Sequence, residues 1–71
     1  MEGNTLNYSV KKSIRLLLVD DSELFRRFIT ELLADNSALS IIGEASNGSE
    51  AIDIVRKLHP DVILLDMEMP V

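Results

Sequence analysis

The chain has 71 residues, a length that suits one small domain and leaves little room for a large core. It carries 12 acidic and 7 basic residues, and a net charge of -5 argues against direct contact between this segment and a nucleic-acid backbone. Hydrophobic residues make up 46% of the sequence, which argues against disorder of the whole chain. The absence of cysteine excludes disulfides and thiolate metal sites and favours the cytoplasm. No apolar run is long enough to span a bilayer.

The first third of the chain predicts a tail, a strand and a helix. Residues 1–12 show no sustained apolar pattern and are expected to be a flexible tail, with an edge strand over residues 6–10 as the alternative. The run IRLLLV at 14–19 is short and almost wholly apolar, which is typical of a strand buried on both faces of a parallel sheet. Apolar residues then recur at helical spacing over 24–33, and residues 20–22 supply candidates for the N-cap.

The remainder of the chain predicts a second strand, a second helix and a third strand. LSIIGEA at 39–45 is rich in isoleucine and is expected to be a strand. Asn47 and Glu50 have the spacing of a capping box at the start of a helix that Pro60 ends. DVILLD at 61–66 is the third strand, again expected to be buried on both faces. Alternating strands and helices with short connections predict an α/β fold with parallel strands and helical crossovers.

Three carboxylates follow two of these strands. Asp20 and Asp21 end the first strand and Asp66 ends the third. If these strands are neighbours, the carboxylates converge at one rim of the sheet, where they repel one another unless a cation lies between them or some are protonated. Ligands that are all oxygen suit Mg²⁺ or Mn²⁺. Asp66 is then a candidate nucleophile toward phosphoryl groups.

A simpler interpretation of each carboxylate stands beside this one. Asp20 and Asp21 have the right position to cap the helix that follows, because acidic groups near a helix N-terminus accept hydrogen bonds and meet the positive end of the dipole. Asp66 alone is compatible with an ordinary residue at the end of a strand. The three together, with the motifs around them, favour the metal site.

Three motifs, LLLVDDS, NGSEAI and PDVILLDMEMP, closely resemble the first half of a response regulator receiver domain from bacterial two-component signalling. The resemblance covers residues 14–71 and implies a truncated flavodoxin-like, doubly wound sheet with strand order 2-1-3 and two crossover helices. It also implies that Asp66 accepts phosphate from a partner histidine kinase. The metal ligands that it implies, for Mg²⁺ or Mn²⁺, are the side chains of Asp20, Asp21 and Asp66 and the backbone carbonyl of Glu68.

The family pattern continues with two more strands and three more helices, which carry a Thr or Ser hydroxyl and a Lys. We therefore expect residues 13–71 to be the N-terminal half of a receiver domain, a fragment that binds Mg²⁺ weakly at most, does not switch fully on phosphorylation and is not an enzyme in its own right. The third strand is then an edge with bare apolar faces. Such an edge predicts self-association as a homodimer or a swapped oligomer.

Two other functions fit parts of the pattern. A phosphatase of the haloacid dehalogenase type also forms an aspartyl phosphate, but it expects a second Asp two residues after the nucleophile and on the first strand, whereas Glu68 stands there after the third. A non-catalytic dimerisation module is favoured by the missing hydroxyl and Lys. The output of the parent protein stays open between a DNA-binding domain, an enzyme such as a chemotaxis methylesterase, and none.

Overall fold

A computed structural model describes residues 13–66 of the chain. In chain order its elements are β1 (Ile14–Val19), α1 (Glu23–Leu33), β2 (Leu39–Ala45), α2 (Gly48–Leu58) and β3 (Val62–Leu65). Two predictions, the flexible tail over residues 1–12 and the carbonyl ligand at Glu68, lie outside the described residues.

The three strands form one parallel sheet in the order β2-β1-β3. β1 pairs with β2 along its whole length and with β3 from Leu16 opposite Val62 to Val19 opposite Leu65. The predicted α/β fold, a partial flavodoxin-like sheet with two crossover helices, is confirmed. The central position of β1 brings the ends of β1 and β3 side by side.

Burial separates the central strand from the edge strand. Residues 16–19 of β1 are at most 6% exposed, as predicted for a strand covered on both faces. The same prediction is wrong for β3, whose four apolar residues are 42–49% exposed. In the described residues β3 pairs with β1 alone, and the two helices pack mainly over β1 and β2. An apolar run indicates that a strand is suited to burial, but whether the strand is buried depends on the elements that pack around it.

The two helices cover opposite faces of the sheet. Leu17 and Val19 point to one face and pack with Ala45 and with three residues of α2, namely Ala51, Ile54 and Val55. Leu18 points the other way, because successive side chains of a strand alternate, and it lines a cleft together with Phe25 of α1. The core therefore lies between β1, β2 and α2, and α1 covers the other face incompletely. No helix in the described part of the chain is long and apolar enough to cross a membrane.

Side-chain caps begin both helices. The Ser22 hydroxyl oxygen accepts a hydrogen bond from the Phe25 N–H at 3.1 Å, and the Asn47 side-chain oxygen accepts one from the Glu50 N–H at 2.9 Å. The second hydrogen bond of the predicted capping box, from the N-cap N–H to the Glu50 carboxylate, is made by a different residue. The Glu50 carboxylate accepts from the N–H and the hydroxyl of Ser46, both at 2.8 Å, one residue before the expected position.

Hydrogen bonds from its own last turn and from Arg15 of β1 fix the C-terminal end of α2. His59 takes the left-handed conformation, with φ of 50°, and its N–H donates to the Val55 carbonyl at 3.0 Å. The Arg15 guanidinium of β1 donates to the carbonyls of Leu58 and His59, both at 2.6 Å. These bonds satisfy carbonyls that a helix terminus leaves unpaired, at the residue before Pro60 where the helical conformation is disfavoured.

The Glu50 cap predicts an acid-sensitive contribution to stability. The Ser46 N–H, then the Ser46 hydroxyl and the charge of Arg26 lower the pKa of Glu50 below its ordinary value of 4.5. A carboxyl with a lowered folded-state pKa stabilises the fold fully above its unfolded pKa and loses that contribution as pH falls through the folded value. We expect the difference in free energy of unfolding between the wild type and Glu50→Gln to be largest above about pH 5 and to shrink at lower pH.

Urea unfolding followed by circular dichroism between pH 2.5 and 7 measures this difference. Ser46→Ala is the matched variant, because it removes the hydroxyl donor and keeps the N–H donor. It should reduce the acid-dependent part without abolishing it. A difference between wild type and Glu50→Gln that grows as pH falls would contradict the prediction.

Candidate functional site

Asp20 is a buried carboxylate at the end of the central strand. It is 3% exposed, and its N–H donates to the Ala45 carbonyl at 3.0 Å, which extends the β1–β2 pairing by one residue. One carboxylate oxygen accepts a hydrogen bond from the Ser22 N–H at 2.8 Å. The Asp20 carbonyl oxygen accepts from Arg26 at 2.6 Å. The Ser22 N–H thus gives the buried carboxylate a hydrogen bond, which a buried polar group requires, while β2 and α1 fix the Asp20 backbone.

Asp66 reaches the same rim from β3. Its N–H donates to the Val19 carbonyl at 3.2 Å, so the sheet places its backbone beside the start of the Asp20–Asp21 pair. Asp66 is half-buried and Asp21 is exposed. The structure brings the three predicted side chains together: one carboxylate oxygen from each lies within 4.8 Å of those of the other two.

The three carboxylates line an open cleft of about 400 Å³, with Ser22 and Phe25 completing its wall. A second cleft of about 300 Å³ continues between α1 and β3 and is lined largely by apolar side chains, among them Leu18, Ile29 and Leu64. Solvent thus reaches the carboxylates from one side while apolar residues flank the other. The arrangement leaves room for a small anion beside the acidic side chains.

The donor set fits a hard divalent cation. All three candidate ligand atoms are carboxylate oxygens, the type that Mg²⁺ and Mn²⁺ bind. Two ligands held about 2.1 Å from one ion lie at most about 4.2 Å apart, so small side-chain rotations bring the three oxygens into range. A cation there would also relieve the repulsion between three close negative charges.

Arg26 is the residue at this site that the sequence does not reveal. The helical pattern assigns it to the outward, polar face of α1, yet its side chain is 15% exposed, and besides Asp20 it contacts Glu44 with Nε 3.0 Å from Oε1. Its position offers a signal, because it stands one turn after the Ser22 N-cap and helical side chains lean back toward the N-terminus. An Arg at that position can reach the residues before the helix.

Comparison with known proteins finds a matching family and similar sequences. The family model described as the response regulator receiver domain matches residues 16–71. A protein-glutamate methylesterase/protein-glutamine glutaminase of Idiomarina loihiensis is 52% identical over 59 residues, which cover 83% of this chain and 15% of that protein. The protein of the same description from Geobacillus kaustophilus is 47% identical over 60 residues, which cover 84% of this chain and 17% of that protein. The chain thus spans less than a fifth of these relatives.

A solved structure has the same fold. The crystal structure of the P1 domain of CheA3 in complex with CheY6 from R. sphaeroides contains a chain that matches with a TM-score of 0.78 and 33% sequence identity. The match covers 86% of this chain and 48% of that chain. The same fold therefore occurs within a chain about twice as long as its matched part.

Proposed function

This chain belongs to the response regulator receiver domain family, and from that premise we propose that residues 13–71 supply the N-terminal, phosphoacceptor half of a receiver in which Asp66 accepts a phosphoryl group. The observation that carries the proposal is the meeting of three carboxylates at the ends of β1 and β3. One of them, Asp66, opens onto a cleft that has room for a phosphoryl group.

The proposed ligands of Mg²⁺, or of Mn²⁺, are the carboxylates of Asp20, Asp21 and Asp66 and, outside the described residues, the carbonyl of Glu68. The oxygen-only donor set and the spacing of its atoms support this assignment. When bound, the ion would neutralise negative charge on the oxygens of the transferred group. Asp20 is fixed by its backbone bond to β2 and its side-chain bond to Ser22, so it offers a preorganised ligand.

The role of Asp66 is that of a nucleophile. One of its carboxylate oxygens forms a bond to phosphorus while the bond between phosphorus and the leaving atom of the donor breaks, which yields an acyl phosphate and the free donor. The leaving atom is a ring nitrogen when the donor is a phosphohistidine and an oxygen when it is acetyl phosphate. The Val19 carbonyl holds the Asp66 backbone in line with the sheet, so the reacting carboxylate extends from a fixed backbone. The chain itself is the phosphoryl acceptor in this reaction.

The proposed phosphodonor is a histidine kinase, and the proposed location is the cytoplasm. Family membership supports both, and the matched structure, described as the P1 domain of CheA3 in complex with CheY6, supports docking of a partner domain on this fold. The relatives named as glutamate methylesterases support an output of that kind in a longer protein. The matched segment covers only their receiver-like part, so this output is a proposal for the parent.

Labelling with a small phosphodonor tests the proposal. The 71-residue chain is incubated with acetyl phosphate, with and without Mg²⁺, and the modified residue is mapped by mass spectrometry after reductive trapping of the acyl phosphate. We expect a small, short-lived labelled fraction, because the Thr or Ser hydroxyl and the Lys of the family pattern belong to elements that are not part of the 71 residues tested. The label should map to Asp66 and require Mg²⁺. Labelling of another residue, or labelling at the same level without Mg²⁺, would contradict the proposal.

A non-catalytic role in self-association is the second candidate, and the exposed β3 edge favours it. Ile63 is at the centre of that edge and is 47% exposed. Unpaired, apolar edge strands pair readily with other chains, most simply across a two-fold axis. We expect Ile63→Lys to raise the dissociation constant of a homodimer at least about 10-fold, because two like charges then meet at the axis.

Sedimentation equilibrium over a range of micromolar concentrations measures this effect. Ile52→Lys is the matched control, because Ile52 is 53% exposed but lies on α2. It should leave the dissociation constant near that of the wild type. A wild-type chain that is a folded monomer at all concentrations, or equal weakening by both substitutions, would exclude association through β3.

A further inference from the structure

Arg26 joins three elements at the acidic rim. Its Nη1 donates to the Asp20 carbonyl oxygen at 2.6 Å, and its Nε donates to Glu44 Oε1 at 3.0 Å. Asp20 follows β1, Glu44 belongs to β2 and Arg26 belongs to α1. The Arg26 side chain is 15% exposed and that of Glu44 is 42% exposed, so the guanidinium is largely covered while its partner carboxylate still meets solvent.

An irregularity in β2 places Glu44 within reach of Arg26. The register between β1 and β2 shifts after Leu16, which faces Ile41, so that Leu17 faces Gly43 and one residue of β2 is left over. Ile41 lines a cleft with residues of α1 and thus points to the α1 side. Regular alternation would give Gly43 the same side. The extra residue moves the phase by one, and Glu44 points toward α1 instead.

The bond to the Asp20 carbonyl controls more than one ligand. That carbonyl belongs to the peptide unit between Asp20 and Asp21, so fixing it sets the direction in which the chain leaves Asp20 toward Asp21. Glu44 compensates the guanidinium charge. Arg26 can therefore hold the backbone at the rim without leaving an unpaired positive charge beside a site that must attract a cation.

We propose that Arg26 is a positioning residue for the cation site, fixing the Asp20–Asp21 peptide through its bond to the Asp20 carbonyl while Glu44 neutralises its charge. The inference rests on the proposed function, because it concerns the same three carboxylates. A positioning role and a purely electrostatic role predict opposite changes in cation affinity when Arg26 is replaced. Removal of a positive charge near the site would strengthen cation binding by charge alone, whereas removal of a support for the ligands weakens it.

The test measures Mn²⁺ affinity of the 71-residue chain by paramagnetic broadening of its amide resonances, with folding checked by urea unfolding. Arg26→Met should weaken Mn²⁺ binding about 10-fold, the lower end of the range for groups that orient metal ligands. Arg27→Met is the matched control, because it removes the same charge from the next, exposed position of α1. It should leave the affinity unchanged or slightly higher.

A second variant keeps the inference testable if Arg26→Met does not fold. Arg26→Lys retains the charge but not the two-pronged guanidinium geometry, so it too should bind Mn²⁺ more weakly than the wild type. Wild-type or tighter affinity in the folded Arg26 variants would overturn the role of Arg26. Failure of the unaltered chain to bind Mn²⁺ at all would instead overturn the cation site of the proposed function, so the two failures are distinguishable.

Discussion

Replacement of Asp66 by Asn should abolish the Mg²⁺-dependent labelling of the chain by acetyl phosphate. The amide has nearly the shape of the carboxylate but no anionic oxygen to attack phosphorus, so the acyl phosphate cannot form at this residue. The Asp66 N–H keeps its bond to the Val19 carbonyl, because that bond belongs to the backbone. The variant should therefore remain folded while its labelled fraction falls to background, the largest effect expected of any substitution at the site.

Mass spectrometry of the intact chain and of its peptides measures the labelled fraction. Asp53→Asn is the matched control, because it makes the same chemical change at an exposed position of α2 away from the rim. It should be labelled as the wild type is. Persistent labelling of Asp66→Asn would mean that another residue accepts the phosphoryl group, and equal loss in both variants would point to a general effect of charge.

The sequence predicts the fold well because short apolar runs mark the strands and apolar residues at helical spacing mark the helices. The structure confirms the two strands expected over 14–19 and 39–45 with the same bounds. The first helix begins after Ser22, the last of the three candidate N-caps at residues 20–22, and the second begins after the predicted cap Asn47. Parallel strands with helical crossovers leave few alternative topologies, so the meeting of Asp66 with the Asp20–Asp21 pair follows once β1 and β3 are neighbours.

What the sequence does not predict depends on contacts between elements. β3 has the same apolar pattern as β1, yet it is half-exposed because no described element covers it on its outer side. No turn residue or charge pattern in the sequence predicts the extra residue in β2, although a glycine, Gly43, lies next to it. Without that shift Glu44 would point toward α2, and the contact between Arg26 and Glu44 cannot be derived from helical periodicity.

Leu17→Ala should remove most or all of the stability of this domain. Leu17 is fully buried at the centre of the sheet and forms the core with Val19, Ala45 and residues of α2. Truncation of a buried Leu to Ala costs about 2–5 kcal/mol in lost transfer energy and residual cavity. Below about 70–80 residues a single hydrophobic core rarely supplies more than about 3–5 kcal/mol of stability. The loss is therefore comparable with the whole free energy of unfolding.

Urea unfolding at a fixed chain concentration measures the loss, since self-association would make the apparent stability depend on concentration. Leu32→Ala is the matched control, because Leu32 is 63% exposed on α1 and its truncation should change the free energy of unfolding by no more than about 0.5 kcal/mol. Mn²⁺ binding should disappear together with the fold in Leu17→Ala, because β1 carries both Leu17 and the aspartates that follow it. If Leu17→Ala unfolds at the same urea concentration as Leu32→Ala, the β1–α2 core is not what holds the acidic rim in place.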